Sequence, residues 1–322
     1  MVLSAFSFGR KWGNGEVLLK EALMAAEAKG IEVRFYRICD YEVHNCKTCN
    51  VGAFCPGVRE VEKCIYKDDT PFLVEEFLNS DGILMAAPVY ALTPNSLFFA
   101  FRDRVFGPKM DIARELVGLP MPSWAKGRFK ARPGGLISVG GALTEHWTSM
   151  GLMSLYSGTF SAQTEVVDHI NAYAIADPGA ATTRPDWLKR AALLGENVAD
   201  ALLTGDHRWR GDEGGICPCC HLNHLTMVPG NKQVICVVCG IYGDVHIEDG
   251  NLTFDWPDTE EYRKDNRLTV QGKKEHLLEI RRCIAEYEPL KEKAMEDLQK
   301  YKDYNACEIM SPSRAAKKAA QP

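Results

Sequence analysis

Apolar and polar positions in the first two hundred residues alternate between a strand period and a helix period. Val2–Phe6 is a short apolar run bounded by Gly9, as expected of a buried strand. In Gly15–Lys29, the residues Val17, Leu18, Ala22, Ala25 and Ala26 fall roughly on one helical face, and Gly30 ends the helix. Ile31–Ile38 alternates with β-branched and aromatic residues and predicts a second strand. Thr70–Pro71 starts a helix that continues through Leu78, with Pro at the first helical position. Gly82–Ala87 predicts a strand covered on both faces, and Thr93–Pro94 opens a helix to about Phe106. Leu136–Val139 is a further buried strand, Glu145–Tyr156 a helix, Thr164–Ile170 a strand and Asp186–Leu203 a strongly periodic helix.

That order, βαβαβαβαβα, predicts an α/β fold with a parallel sheet covered by helices on both faces. Five strands is the count of a flavodoxin-like doubly wound sheet, whose ligand sits at the carboxyl ends of the strands. The segment Gly107–Pro133 holds four prolines and is longer than an ordinary connection, as functional covers and oligomer contacts are. After Gly205 the character changes. Gly211, Gly214 and Gly215 form a linker-like stretch, a cysteine-rich segment follows, and Gly240–Phe254 reads as short strands and turns. Two charged helices are expected at Glu260–Tyr287, with a break near Gly272, and at Leu290–Tyr304. The expected units are therefore a flavodoxin-like domain at 1–205, a small metal ribbon at 206–256, C-terminal helices at 257–310 and a frayed tail at 311–322.

Composition narrows the function classes. The 322 residues are 46% apolar and 25% charged, enough for a sizeable core and about two domains. A net charge of −5 supplies no basic field for nucleic acid or an anionic membrane. No apolar stretch approaches the ~20 residues of a membrane-spanning helix. Arg10 and Lys11 follow the apolar Val2–Phe6 run, the reverse of an export signal. The 12 cysteines are therefore expected as thiols in the reducing cytoplasm, where close spacing means metal or redox chemistry.

The loop from Ser7 to Gly15 joins the first strand to the first helix. Small residues entering a helix N terminus suit a phosphate, with Arg10 and Lys11 adding charge and Asn14 capping or donating. A plain turn with two solvated cations fits equally well. The glycines do not spell G-x-G-x-x-G, so a dinucleotide fold is not favoured. Ala87-Pro88-Val89-Tyr90 follows the third strand and Gly140-Gly141 the fourth. All three loops fall at the carboxyl edge, where they could surround one planar ligand. His146 and Trp147 either line that pocket or cap a helix.

Arg10-Lys11-x-Gly13-Asn14, Asp81-Gly82 leading to Ala87-Pro88-Val89-Tyr90, and Phe101-x-Asp103-Arg104 together resemble the NADPH-dependent FMN reductase-like family over about residues 1–205. Cys46-x2-Cys49 ahead of Lys63-Cys64-Ile65-x-Lys67-Asp68-Asp69 resembles its iron–sulfur flavoprotein branch. The resemblance implies FMN held by Ser7, Arg10, Lys11, Asn14 and Gly15, by Pro88, Val89, Tyr90, Ala91 and Asn95, and by Gly140 and Gly141. It also implies a dimer or tetramer, and redox chemistry with NAD(P)H or a protein electron donor. The sequence departs from the family at Phe8 and Gly15, where a Ser and a Thr are usual.

The cysteines form two groups. Cys46, Cys49, Cys55 and Cys64 suit a [4Fe–4S] cluster, whose irons each take one thiolate. Free redox-active thiols and a structural zinc are the other readings, and the loop is longer than the family's compact motif. Cys217-x2-Cys220 and Cys236-x2-Cys239, fifteen residues apart, form a zinc-ribbon or rubredoxin-like pattern that leaves zinc and iron both open. The expected function is an FMN-dependent oxidoreductase passing electrons to an unidentified acceptor through the cluster. A cluster-free reductase of a quinone or other small molecule is the alternative enzyme. A binding or assembly module with a structural ribbon is the non-enzymatic alternative.

Overall fold

The computed structural model describes residues 1–49, 64–106, 113–118, 127–160, 163–258, 265–304, 309 and 311–313. Five parallel strands form the main sheet: β1 (Val2–Ser7), β2 (Glu32–Arg37), β3 (Gly82–Tyr90), β4 (Arg132–Val139) and β5 (Thr164–Ala172). Their order is β2-β1-β3-β4-β5, the flavodoxin-like arrangement expected from the strand count.

Strand parity assigns the two faces. Leu3, Ala5, Leu84, Ala86, Ile137 and Val139 pack under α1 (Asn14–Ala28) and α5 (Pro185–Thr204). Those two helices touch closely, because a Cβ on Gly195 would lie 2.0 Å from the Ala22 carbonyl oxygen. Phe6, Ile83, Met85 and Leu136 face the other way, under α2 (Thr70–Leu78), α3 (Ser96–Phe101) and α4 (Ser149–Leu155).

Several element boundaries differ from expectation for identifiable reasons. The helix expected from Thr93 begins at Ser96. Thr93 and Pro94 instead pair antiparallel with Tyr90 and Val89, and the Asn95 side chain caps the helix by accepting from the Phe98 amide at 3.3 Å. The stretch after β4 divides into a 3-10 turn at Glu145–Trp147, α4, and a second 3-10 turn at Tyr156–Gly158. Strand β4 starts at Arg132, so Pro133, Gly134 and Gly135 belong to the sheet rather than to a loop. The two glycines are there for room: a Cβ would meet Thr164 Cγ2 at 2.4 Å or Leu194 Cδ2 at 2.6 Å.

Beyond α5 a four-stranded antiparallel ribbon runs β9-β8-β7-β6: β6 (Leu225–Met227), β7 (Gln233–Cys236), β8 (Tyr242–Glu248) and β9 (Asn251–Asp255). Its inner side chains, Leu222, Val238 and Ile241 among them, join the same apolar cluster as Phe6, Phe98 and Leu155. Helix α6 spans Val270–Tyr287 and α7 spans Lys291–Asp303. The first was expected from Glu260, which lies outside the described residues. Asp265–Thr269 is turn instead, because Asn266 Oδ1 accepts from the Leu268 amide and Thr269 Oγ1 caps the Gly272 amide. Gly272 does not break the helix. The chain divides into compact units Met1–Glu275 and His276–Pro322.

Candidate functional site

The loop after β1 is shaped by the residues that anchor it. Phe8 turns into the core, 1% exposed and edge-on to Phe98 and Phe101 with ring centroids 5.2 Å away. Ser7, one residue earlier, falls by alternation on the α1 face with Leu3 and Ala5. It is fully buried, and its hydroxyl has no partner among the described residues. The unpaired first-turn amides of Asn14, Gly15 and Glu16 belong to the adjoining helix start. An orphaned buried hydroxyl beside a helix N terminus fits an anion such as a phosphoryl group.

The other residues of this loop divide in role. Arg10 and Lys11 are exposed. Asn14 is committed elsewhere. Its Nδ2 donates to the Ile175 and Asp177 carbonyls at 2.9 and 2.8 Å, and its Oδ1 accepts from the Ala181 amide at 2.9 Å. That side chain straps a distant segment to α1 and has no donor left for a ligand. Gly15 is buried, with its Cβ direction 3.5 Å from Ala86 Cβ. Sequence reasoning passed over Glu16, whose carboxylate accepts from the Trp12 amide at 3.0 Å, from Arg37 at 2.8 Å twice, and from Lys20 at 2.7 Å. Arg37, against the opposing effect of burial, holds the Glu16 carboxyl at about 2. The signal for it was its place at the third position of the helix, where acidic residues reach back to cap the loop.

Pro88, Val89 and Tyr90, expected in a loop after the third strand, instead continue β3, because Val89 and Tyr90 pair with Pro94 and Thr93; Pro88 and Val89 are half-buried and Tyr90 is exposed. Ala91 and Leu92 both have positive φ, 49° and 75°, in the two-residue turn between Tyr90 and Thr93. Such a turn needs the left-handed region twice, and non-glycine residues hold it at a cost of about 1–2 kcal/mol each. Asn95 Nδ2 donates to the Phe8 carbonyl at 2.7 Å, tying the first loop to the second. At the third loop, Gly140 and Gly141 leave no room for a side chain: a Cβ would lie 2.0 Å from Thr148 Cγ2 or 2.9 Å from Ala176 Cβ. The three segments lie at the carboxyl ends of their strands, with Asn95 tying the first to the second and Asn14 tying α1 to the chain after β5.

Two clamps close the neck of the first cysteine loop. Asp69 exchanges backbone and side-chain bonds with Glu42. The Asp68 side chain, fully buried, accepts from Arg104 at 2.8 and 3.0 Å and from the His44 and Thr70 amides. Burial alone would raise the Asp68 carboxyl, but Arg104 and the two amides hold it well below the usual carboxylate range. Beyond the neck, Cys46 and Cys49 are exposed and Cys64 is half-buried, while Cys55 lies outside the described residues.

The ribbon brings Cys217, Cys220, Cys236 and Cys239 together, all buried, with their sulfurs within 4.8 Å of one another. It is the only such ligand set among the described residues. Sulfur separations of 3.7 Å (Cys217–Cys239) and 3.5 Å (Cys220–Cys236) are close to the ~3.8 Å edge of a tetrahedron with ~2.3 Å metal–sulfur bonds. The donor set fits one metal ion. Cys219 is half-buried and outside the set. Tyr156 supports the ribbon by donating to the Cys220 carbonyl at 2.9 Å.

Comparison with known proteins identifies the family and the fold. The family described as NADPH-dependent FMN reductase matches residues 8–169. A flavone synthase of Aspergillus candidus is 30% identical over 220 residues, covering 66% of this chain and 67% of that protein. An iron-sulfur flavoprotein of Methanocaldococcus jannaschii is 35% identical over 81 residues, but these cover 25% of this chain and only 39% of the relative. The solved structure of a flavone reductase superposes with a TM-score of 0.72 at 24% identity, over 97% of this chain and 100% of that one, which shows the shared fold. No described helix is long and apolar enough to cross a membrane.

Proposed function

Because this chain belongs to the NADPH-dependent FMN reductase family, and is therefore an oxidoreductase, we propose that it binds FMN at the carboxyl edge of its sheet and reduces a small planar aromatic acceptor with electrons from a nicotinamide. The observation that carries the reading is the buried, unpartnered Ser7 hydroxyl beside the α1 N terminus. With the first-turn amides and exposed Arg10 and Lys11 it offers a phosphate site that tolerates Phe8 in place of a hydroxyl. Pro88, Val89, Tyr90, Ala91, Gly140 and Gly141 would border the ring; Asn14 acts as a strut, while Asn95 keeps one amide proton beyond its bond to the Phe8 carbonyl. Bound FMN would accept two electrons from the nicotinamide and pass them on. An aromatic acceptor is supported by the flavone synthase relative, whose alignment spans most of this chain.

The second reading keeps a [4Fe–4S] cluster on Cys46, Cys49, Cys55 and Cys64. Its support is the clamped neck at Asp68 and Arg104, which draws the chain before Cys46 and after Cys64 together. We assign the ribbon cysteines to a structural metal, with zinc favoured by the closed four-thiolate set. Flavin, iron, sulfide and zinc contents of protein purified without oxygen test all three assignments. FMN near one equivalent, with NADPH bleaching its visible bands, is the expected result. Failure to bind FMN even after its addition overturns the reading. Iron with equimolar sulfide decides for the cluster.

A further inference from the structure

A cavity of about 760 Å³ opens between the carboxyl edge of the sheet and the ribbon. Its wall includes Glu145 and His146 from the loop after β4, His169 and Asn171 from β5, and His221 and His224 from the ribbon.

Tyr156 Oη lies 2.9 Å from the Cys220 carbonyl oxygen and 3.0 Å from His169 Nδ1. A carbonyl only accepts, so Tyr156 spends its single proton there. His169 must then carry its proton on Nδ1 and donate it to Tyr156 Oη, which leaves Nε2 as an acceptor. Burial keeps this ring neutral, its value lowered to about 3. Asn171 is fixed by the same logic. Its amide lies 3.2 Å from Glu145 Oε1 and 3.1 Å from Thr148 Oγ1. A carboxylate only accepts, so Nδ2 faces it, and Asn171 Oδ1 is left buried without a partner among the described residues. His224 Nδ1 is likewise buried and unpartnered.

Cationic capacity is spent. Arg190, which also lines the cavity, donates to both oxygens of Asp168, to Asp212 and to the His169 carbonyl. A phosphate-bearing dinucleotide would find carboxylates, the neutral His169 ring and an arginine already engaged by carboxylates. Tyr173 and Trp187, with ring centroids 5.5 Å apart, supply an aromatic side to the same wall.

We propose that this cavity binds an uncharged, hydroxylated aromatic compound, a polyphenol, whose hydroxyls donate to His169 Nε2 and Asn171 Oδ1. This rests on the reading that the enzyme reduces a small aromatic acceptor, and it makes the ribbon one wall of the acceptor site.

The test uses the full FMN-loaded chain without nicotinamide, titrated calorimetrically at pH 6 with trihydroxyflavone and with unsubstituted flavone. Wild type should favour the hydroxylated compound by about ten-fold or more. His169→Phe and Asn171→Leu should each lower that selectivity by about two- to ten-fold, the worth of one hydrogen bond. The ratio guards against misfolding, which weakens both ligands alike. Ser149→Trp, which places an indole into the cavity and narrows it, should weaken both. Equal binding of the two probes by wild type overturns the proposal. So does unchanged selectivity in both variants, or undiminished binding in Ser149→Trp. FMN content and its reduction by NADPH, measured without any acceptor, report on the family-based reading separately.

Discussion

Replacing Asp68 with Ala should destabilise the protein by about 3–5 kcal/mol, the usual cost of stranding one member of a buried ion pair. The side chains of Asp68 and Arg104 are 0% and 3% exposed, so water cannot take the place of the missing carboxylate. The substitution removes two bonds to the guanidinium and leaves the His44 and Thr70 amides unanswered. Among the described residues Arg104 keeps its 2.9 Å bond to the His44 carbonyl and its position over the Tyr66 ring, 5.2 Å from the centroid. Urea denaturation followed by tryptophan fluorescence measures the effect. The double variant Asp68→Leu with Arg104→Met should recover much of it, because an apolar pair of similar volume is not stranded. The pH dependence has a definite sign. The folded carboxyl is held below its ordinary value of about 3.9, so its contribution is complete above that range and is lost as pH falls toward the folded value. Wild type and Asp68→Ala should therefore converge in acid. A difference under about 0.5 kcal/mol at pH 7, or a double variant no better than the single, would refute the account of the neck.

Three further outcomes are expected. Cys236→Ser should abolish stoichiometric metal in the ribbon and lower the thermal midpoint of the whole flavodoxin-like unit; retention of one metal equivalent would count against the four-thiolate site. Ser7→Val should weaken FMN binding by about 10- to 100-fold, the worth of a hydrogen bond to a charged group, as read by quenching of flavin fluorescence. Leu92→Gly should stabilise the flavin-free protein by about 0.5–1 kcal/mol, the relief of a positive φ less the entropy cost of glycine, and a lowered urea midpoint would contradict the strain.

Much of the fold was legible because its signals are local. A continuous apolar run such as Gly82–Ala87 reads as a buried strand without knowing its neighbours, and two C-x2-C knuckles carry their own geometry. What stayed hidden depended on partners far along the chain. Asn14 looked like a phosphate donor from its place in the loop, but Ile175 and Asp177 claim its amide from more than 160 residues away. Gly134 and Gly135 fell outside the expected strand Leu136–Val139, and only the neighbouring Thr164 and Leu194 explain their place in it. Thr93–Pro94 read as a helix start because nothing local says that Val89 and Tyr90 pair with it. The acceptor-rich wall at His169 and Asn171 left no sequence trace, since its polarity comes from which atoms are already bonded.

The ribbon's cysteines share one apolar cluster with the aromatic side of the main sheet. A metal bound by these four thiolates would therefore link its binding to the folding of the flavin unit by mass action. An ion that binds only the folded ribbon lends part of its binding free energy to the sheet beneath. Its loss would uncover Phe98, Leu155 and their neighbours, a face that in water invites aggregation. The chain could not be trimmed after α5 to yield a smaller flavoprotein, nor could the ribbon be transplanted as a free-standing tag. In a cell short of the metal, this enzyme would fail by losing its lifetime as a folded molecule, before any change in its chemistry could be measured.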